Sequence, residues 1–223
     1  MAMNASYRSA ADLPAVIPVF PLPGALLLPR GEMPLNLFEP RYLAMLDDAL
    51  KGQRVIGMVQ PDVESEIMPR TPSLYGVGCA GRITQFTETG DGRCLITLTG
   101  VARFRIVEEL LVTTPYRQCR VDFSAFSSDF EARAGEGEVD RESVIRTLKA
   151  FVEANDLSID WKGIKEASNE ALVNALSMMS PFEPREKQAL LEAPDLKTRA
   201  EILVAITEMD LARGQDGSET PLQ

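Results

Sequence analysis

The hydrophobic pattern of the 223-residue chain changes its period near Phe123. Before that point, apolar and polar residues alternate in short runs broken by proline; after it, apolar residues recur at every third or fourth position. Alternation lays one face of a strand on a core, whereas the longer period lays one stripe of a helix there. The pattern therefore predicts strands followed by helices. Other residue classes divide at the same place. Residues 1–123 hold 11 of the 15 prolines, with 12 basic and 13 acidic residues, while residues 124–223 hold 11 basic and 20 acidic. The net charge of −10 thus belongs almost wholly to the helical half, which disfavours long-range attraction to nucleic acid or anionic lipid.

Residues 1–13 form an amino-terminal extension without an apolar run of signal-peptide length, and no later run reaches a membrane span, so a cytoplasmic protein is expected. Residues 14–123 make the first unit. Runs 15–20 and 25–28 read as strands meeting at the corner Pro21-Leu22-Pro23-Gly24, and 33–37 as a third. Pro40 opens a helix that Gly52 closes, with Tyr42, Met45, Leu46, Ala49 and Leu50 as its apolar stripe. Strands over 55–60 and 75–87 follow, then a hairpin at Gly90-Asp91-Gly92. Next, Cys94, Ile96 and Leu98 face one side while Arg93, Thr97 and Thr99 face the other, and 116–123 ends the unit. Residues 124–139 read as an acidic linker offering little to a core. Residues 140–213 hold four helices, opened by Asp140, Ser168, Pro184 and Asp195, and 214–223 read as a disordered tail. The fold class is α+β: an antiparallel β-barrel with one helix, then an α-helical bundle.

Histidine is absent, which removes the usual neutral-pH base, the commonest metal ligand and every Ser-His or Cys-His pair. Cys79, Cys94 and Cys119 lie 15 and 25 residues apart, unlike zinc-site pairs, and read as reduced, buried apolar side chains. No G-x-x-x-x-G-K-[ST] string offers a phosphate cradle. No enzymatic activity, cofactor or metal is expected.

The string Ile17-Pro18-Val19-Phe20-Pro21-Leu22-Pro23-Gly24, then Leu28-Pro29, then Pro34 through Phe38-Glu39-Pro40-Arg41-Tyr42, resembles the amino-terminal substrate-recognition domain of ATP-dependent Lon proteases. Val77-Gly78-Cys79-Ala80-Gly81-Arg82-Ile83, Leu98-Thr99-Gly100-Val101-Ala102-Arg103-Phe104 and Glu186-Lys187-Gln188-Ala189-Leu190-Leu191 continue the likeness over about residues 14–210. The resemblance implies a PUA-like barrel with a helical subdomain, in a stand-alone form without the ATPase or the Ser-Lys peptidase. It further implies a non-enzymatic grip on unfolded or tagged polypeptides, with an adaptor or regulator role beside protease components, and it fixes no oligomeric state.

A grip on many sequences needs flexible Met and stiff Pro-rich loops, for which Leu22, Pro23, Leu26, Met33, Met178, Met179 and Phe182 are the candidates; Leu26 and Met179 also suit a core. The string Phe38, Glu39, Pro40, Arg41, Tyr42 reads as structural: Glu39 at the positive end of the helix, Arg41 paired with an acid, and Phe38 and Tyr42 locking the helix to the barrel. The alternative function is a nucleic-acid-binding PUA-like module using arginines 82, 93, 103, 105, 117 and 120. They outnumber the local acids Glu88, Asp91, Glu108 and Glu109 but have few interleaved aromatic residues.

Overall fold

A computed structural model describes residues 7–62 and 72–216. In chain order these form β1 (Val16–Pro21), β2 (Glu32–Leu37), α1 (Pro40–Lys51), β3 (Val55–Val59), a small ladder of β4 (Pro61–Asp62) with β5 (Ser73–Leu74), β6 (Val77–Glu88), β7 (Cys94–Glu109) and β8 (Gln118–Asp122). Five helices follow: α2 (Arg141–Ala154), α3 (Trp161–Glu166), α4 (Asn169–Met179), α5 (Pro184–Glu192) and α6 (Leu196–Asp216).

The strands lie in the order β2-β7-β6-β3-β1-β8, and β8 returns to pair with the far end of β7, which closes the sheet into a barrel. Every pairing is antiparallel except β1 with β3, whose parallel register is reached through the crossover containing β2 and α1. Closure depends on the 16-residue length of β7, which pairs with β2 at one end and β8 at the other. Gly90 and Gly92, at φ +81° and +84°, make the turn between β6 and β7, as the sequence predicts. The alternation of Cys94, Ile96 and Leu98 inward is also observed.

Residues 25–28 are not a strand. Leu26, Leu27 and Leu28 are all buried, in a loop wedged between β7 and the helices, and a strand with one wet face could not hide three consecutive leucines. The loop lies so close to β7 that a Cβ at Gly100 would collide with the Leu28 carbonyl oxygen. Arg30 N–H donates to Gly100 O, and Gly100 N–H donates to Gly31 O, each at 2.8 Å.

The helical half differs from expectation in three places. The acidic stretch 124–139 buries Phe126, Asp129 and Val139 and contains 3-10 turns, so it belongs to the core it was expected to avoid. An additional helix, α3, is capped by Asp160 and carries few apolar residues, which hides its period. Finally, α6 continues through Gly214 to Asp216. Predicted caps hold elsewhere: Asp140 accepts from Ser143 N–H and Ser168 from Ala171 N–H.

One apolar cluster runs from barrel residues such as Leu98, through α1, to Leu172, Val173 and Leu203 of the helices. A second, including Ile17, Val19, Val55, Phe104 and Val121, lies among the strands. Barrel and helices therefore share a core. At the amino end, Leu13 is buried in the second cluster, and the Asp12 carboxylate accepts from Arg8 and Ser9 N–H, which lowers its pKa.

Candidate functional site

The seam between barrel and helices is held by buried polar side chains. Arg103 of β7, only 2% exposed, gives Nε and a terminal nitrogen to the two oxygens of Asp129, at 2.9 and 2.8 Å. Its other terminal nitrogen donates to the carbonyls of Leu191 and Ala193 at the end of α5, and its guanidinium stacks on Phe126. Arg199 of α6 donates to Leu190 O and to Asn174 Oδ1, while Asn174 donates to Pro29 O. Burial and the neighbouring Arg103 lower the Arg199 pKa to about 10. Gln60 closes the seam further along, accepting from Gly24 N–H and donating to Pro184 O.

Above this seam opens a cleft of about 400 Å³, walled by residues 29–32 on the barrel side and by α4 on the other. Ser168 sets the start of α4, and the helical period then brings Glu170, Asn174 and Met178 to the cleft in successive turns. Glu170 is clamped in place by Arg30 and by the N–H of Arg133. Met178 lies directly on the bare backbone of Gly31, where a Cβ would strike its sulfur. Met179 stands at the mouth, 83% exposed. The α4 wall therefore carries adaptable apolar side chains, with Glu170 paired to Arg30, and with Glu32 on the facing side.

The candidate binding residues separate. Met178 and Met179 line the cleft. Leu22 and Met33 are half-buried and pack against the larger core, while Pro23 is exposed. Leu26 and Phe182 are buried and drop out as contact residues, because the loop and the start of α5 face the shared core. The cleft also uses Arg30, Glu170 and Asn174, which the sequence reading did not single out; the Ser168 cap, which fixes the phase of α4, was the available signal.

The 38–42 string is structural only in part. Tyr42 is buried edge-on against Phe20, with Arg41 over its ring and Arg41 paired to Glu39 at 2.8 Å. Glu39 occupies the cap position without a side-chain cap bond. Phe38 is 60% exposed beneath Arg93 and locks nothing; it follows the buried Leu37 that ends β2, and neighbouring residues of an extended chain point to opposite sides. Tyr116 instead ties α1 to the barrel by donating to Asp48, and burial lifts its pKa to about 12.

The arginines of the sheet are committed. Arg93 pairs with Asp91, Arg117 with Glu109 and Arg120 with Glu108, while Arg82 donates to Tyr7 and Arg105 lies near Phe126. All three cysteines are free and buried; burial raises the Cys79 thiol pKa strongly and that of Cys119 to about 11, which keeps them protonated. Among the described residues, no group of acids and cysteines could hold a metal, and no helix is long and apolar enough to cross a membrane.

The family described as "ATP-dependent protease La (LON) substrate-binding domain" matches residues 16–208. "Lon protease 2" of Myxococcus xanthus is 30% identical over 87% of the chain and 24% of its own length; "Lon protease" of Anaeromyxobacter dehalogenans is 27% identical over 87% and 23%. The chain thus spans about a quarter of these curated relatives. Among solved structures, the Lon N-terminal domain protein from Xanthomonas campestris has a TM-score of 0.60 at 21% identity, covering 85% of this chain and 97% of that one. The N-terminal domain of Mycobacterium avium complex Lon protease scores 0.61 at 17%, covering 86% and 98%. With a match across 16–208 and the same α+β fold, this chain belongs to the Lon substrate-binding domain family.

Proposed function

We propose that the chain recognises non-native polypeptides in the cytoplasm, by apolar contact in the cleft of Met178 and Met179, as an adaptor or regulator in proteolysis. The observation that carries this reading is the adaptable methionine wall opening between barrel and helices, with its floor pinned by Asn174 and Glu170. Thioether side chains adjust to differently shaped apolar partners, so such a wall tolerates many sequences. Family membership supports the same role. The nucleic-acid alternative loses its main support because Arg93, Arg117 and Arg120 already have acidic partners.

Hydrogen exchange with an unfolded client, reduced and carboxymethylated α-lactalbumin, tests the site. Protection is expected over residues 29–33 and 174–179, and Met179→Asp should weaken capture at least fivefold without lowering thermal stability. Client binding that leaves both segments unprotected would move the site elsewhere.

A further inference from the structure

β6 runs past its neighbours. Its residues 79–82 pair with β3 on one side and most of its length pairs with β7 on the other, so along residues 84–88 the side away from β7 carries no strand among the described residues. The outer edge of β2 is also open, but Pro34 sits within it and lacks the N–H that an added strand would use. Residues 84–88 contain no proline and a single charge, that of Glu88. The stretch therefore lacks the proline that blunts the edge of β2, and the register shift between Ile83 and Gln85 lies at its start, ahead of Phe86 and Glu88.

A groove of about 420 Å³ lies beside this edge, between α1 and the tip of the β6–β7 hairpin. Leu43, Leu46 and Leu50, spaced by three and four, supply one wall from a single face of α1. Phe86 and Glu88, with the hairpin tip, supply the other, and the two further charges at the groove, Asp47 and Arg93, are paired with Lys51 and Asp91. The register partners of Phe86 and Glu88, Ile96 and Cys94, are buried, and directly opposed residues share a face, so Phe86 continues the core-facing side of the barrel beyond the core. That projection leaves its ring 49% exposed while Ile96 is 3% exposed. Glu88 makes no salt bridge among the described residues.

We propose that residues 84–88 of β6 receive an extended polypeptide segment as an added strand, its alternate apolar side chains seated against α1 and Phe86 and a lysine or arginine meeting Glu88. Strand addition takes affinity from main-chain hydrogen bonds and selectivity from pockets for alternate side chains. The open edge supplies the first, and the groove the second. Glu88 sets the sign of the charge, because an unpaired carboxylate beside an apolar wall favours a cation on the incoming segment. The site rests on the reading that the chain holds polypeptides, but it is separate from the methionine cleft and selects by conformation and charge.

A fluorescent ten-residue peptide with serine at every second position and valine between, one of the valines being replaced by lysine so that the lysine shares the valines' face as Glu88 shares that of Phe86, is the probe, followed by anisotropy. Two further peptides carry N-methyl groups on the odd or on the even amides. An added strand donates only alternate N–H groups to its neighbour, so one methylation pattern should weaken binding at least tenfold and the other by less than threefold. Glu88→Lys should weaken the parent peptide at least fivefold and improve an analogue with glutamate in place of that one lysine. Equal binding of both methylated peptides, or indifference to Glu88→Lys, overturns the proposal. A parent peptide that fails to bind, while unfolded α-lactalbumin is still captured through Met179, overturns this site and leaves the methionine cleft standing.

Discussion

Two ion pairs of β7 have the same closest N···O distance, 2.8 Å, and opposite surroundings. Arg103 meets Asp129 inside the seam at 2% and 7% side-chain exposure; Glu108 meets Arg120 of β8 on the outer sheet face at 53% and 50%. Distance alone therefore says nothing about what either pair does. On the sheet face, water solvates each partner as well as its neighbour does, so the pair contributes at most about 1 kcal/mol. In the seam both groups have been stripped of water, and their remaining donors and acceptors must find partners in the protein. Arg103 finds them in the carbonyls of Leu191 and Ala193, which turns a charge pair of the barrel into an attachment for the helices.

The largest expected effect follows from removing half of the buried pair. Asp129→Ala leaves the Arg103 guanidinium buried without its counterion and should cost about 3–5 kcal/mol in urea unfolding. Hydrogen exchange should show the loss at β7 and at the end of α5 together, because one side chain bonds both halves. A cost below about 1 kcal/mol would mean that the seam pair behaves like a surface pair.

That pair also marks where sequence reading stopped. Local signals were legible: Asp140, Ser168 and Pro184 start helices because a cap or a fixed φ acts within one turn, and the Cys94, Ile96, Leu98 alternation shows its buried face directly. Asp129 was not legible as a core residue, because it sits among serines and its partner lies 26 residues away. Only the fold brings them together. The same limit separated Met179, exposed at the cleft, from Leu26 and Phe182, buried beside the seam: all three are apolar residues near loops or helix ends, and composition cannot rank their exposure. Phe38 failed in the reverse direction, since an aromatic residue beside a helix start looks like a staple until its neighbour Leu37 is seen to take the inward side.

Asp195 gives a carboxylate intermediate between the two pairs, held by a backbone N–H instead of an arginine. Its Oδ1 accepts from Thr198 N–H at 2.7 Å at the start of α6, and this bond is the main cause of its lowered pKa. Asp195→Ala should cost about 1 kcal/mol at neutral pH. Because the folded pKa lies below the unfolded value of about 3.9, the stabilisation is fully present above that value and disappears as the pH falls through the folded one. Thermal unfolding of wild type and variant should therefore differ by a constant amount from pH 7 to pH 5 and converge in acid. A gap that persists unchanged at pH 2 would assign the effect to helix propensity and not to the ionised cap.

The smallest effect tests the sheet face itself. Arg120→Ala and Glu108→Ala should each change stability by less than about 1 kcal/mol, with a coupling in the double-mutant cycle of about 0.5 kcal/mol or less. Raising the salt from 50 mM to 500 mM should erase that coupling, because both side chains are half exposed and within reach of counterions. The same substitution bears on function. An arginine face built to hold a polyanion would lose RNA affinity on Arg120→Ala, with a shallower salt dependence. A face whose arginines are neutralised by Glu108, Glu109 and Asp91 should show no salt-dependent RNA binding to lose, and the variant should capture the unfolded client as the parent does.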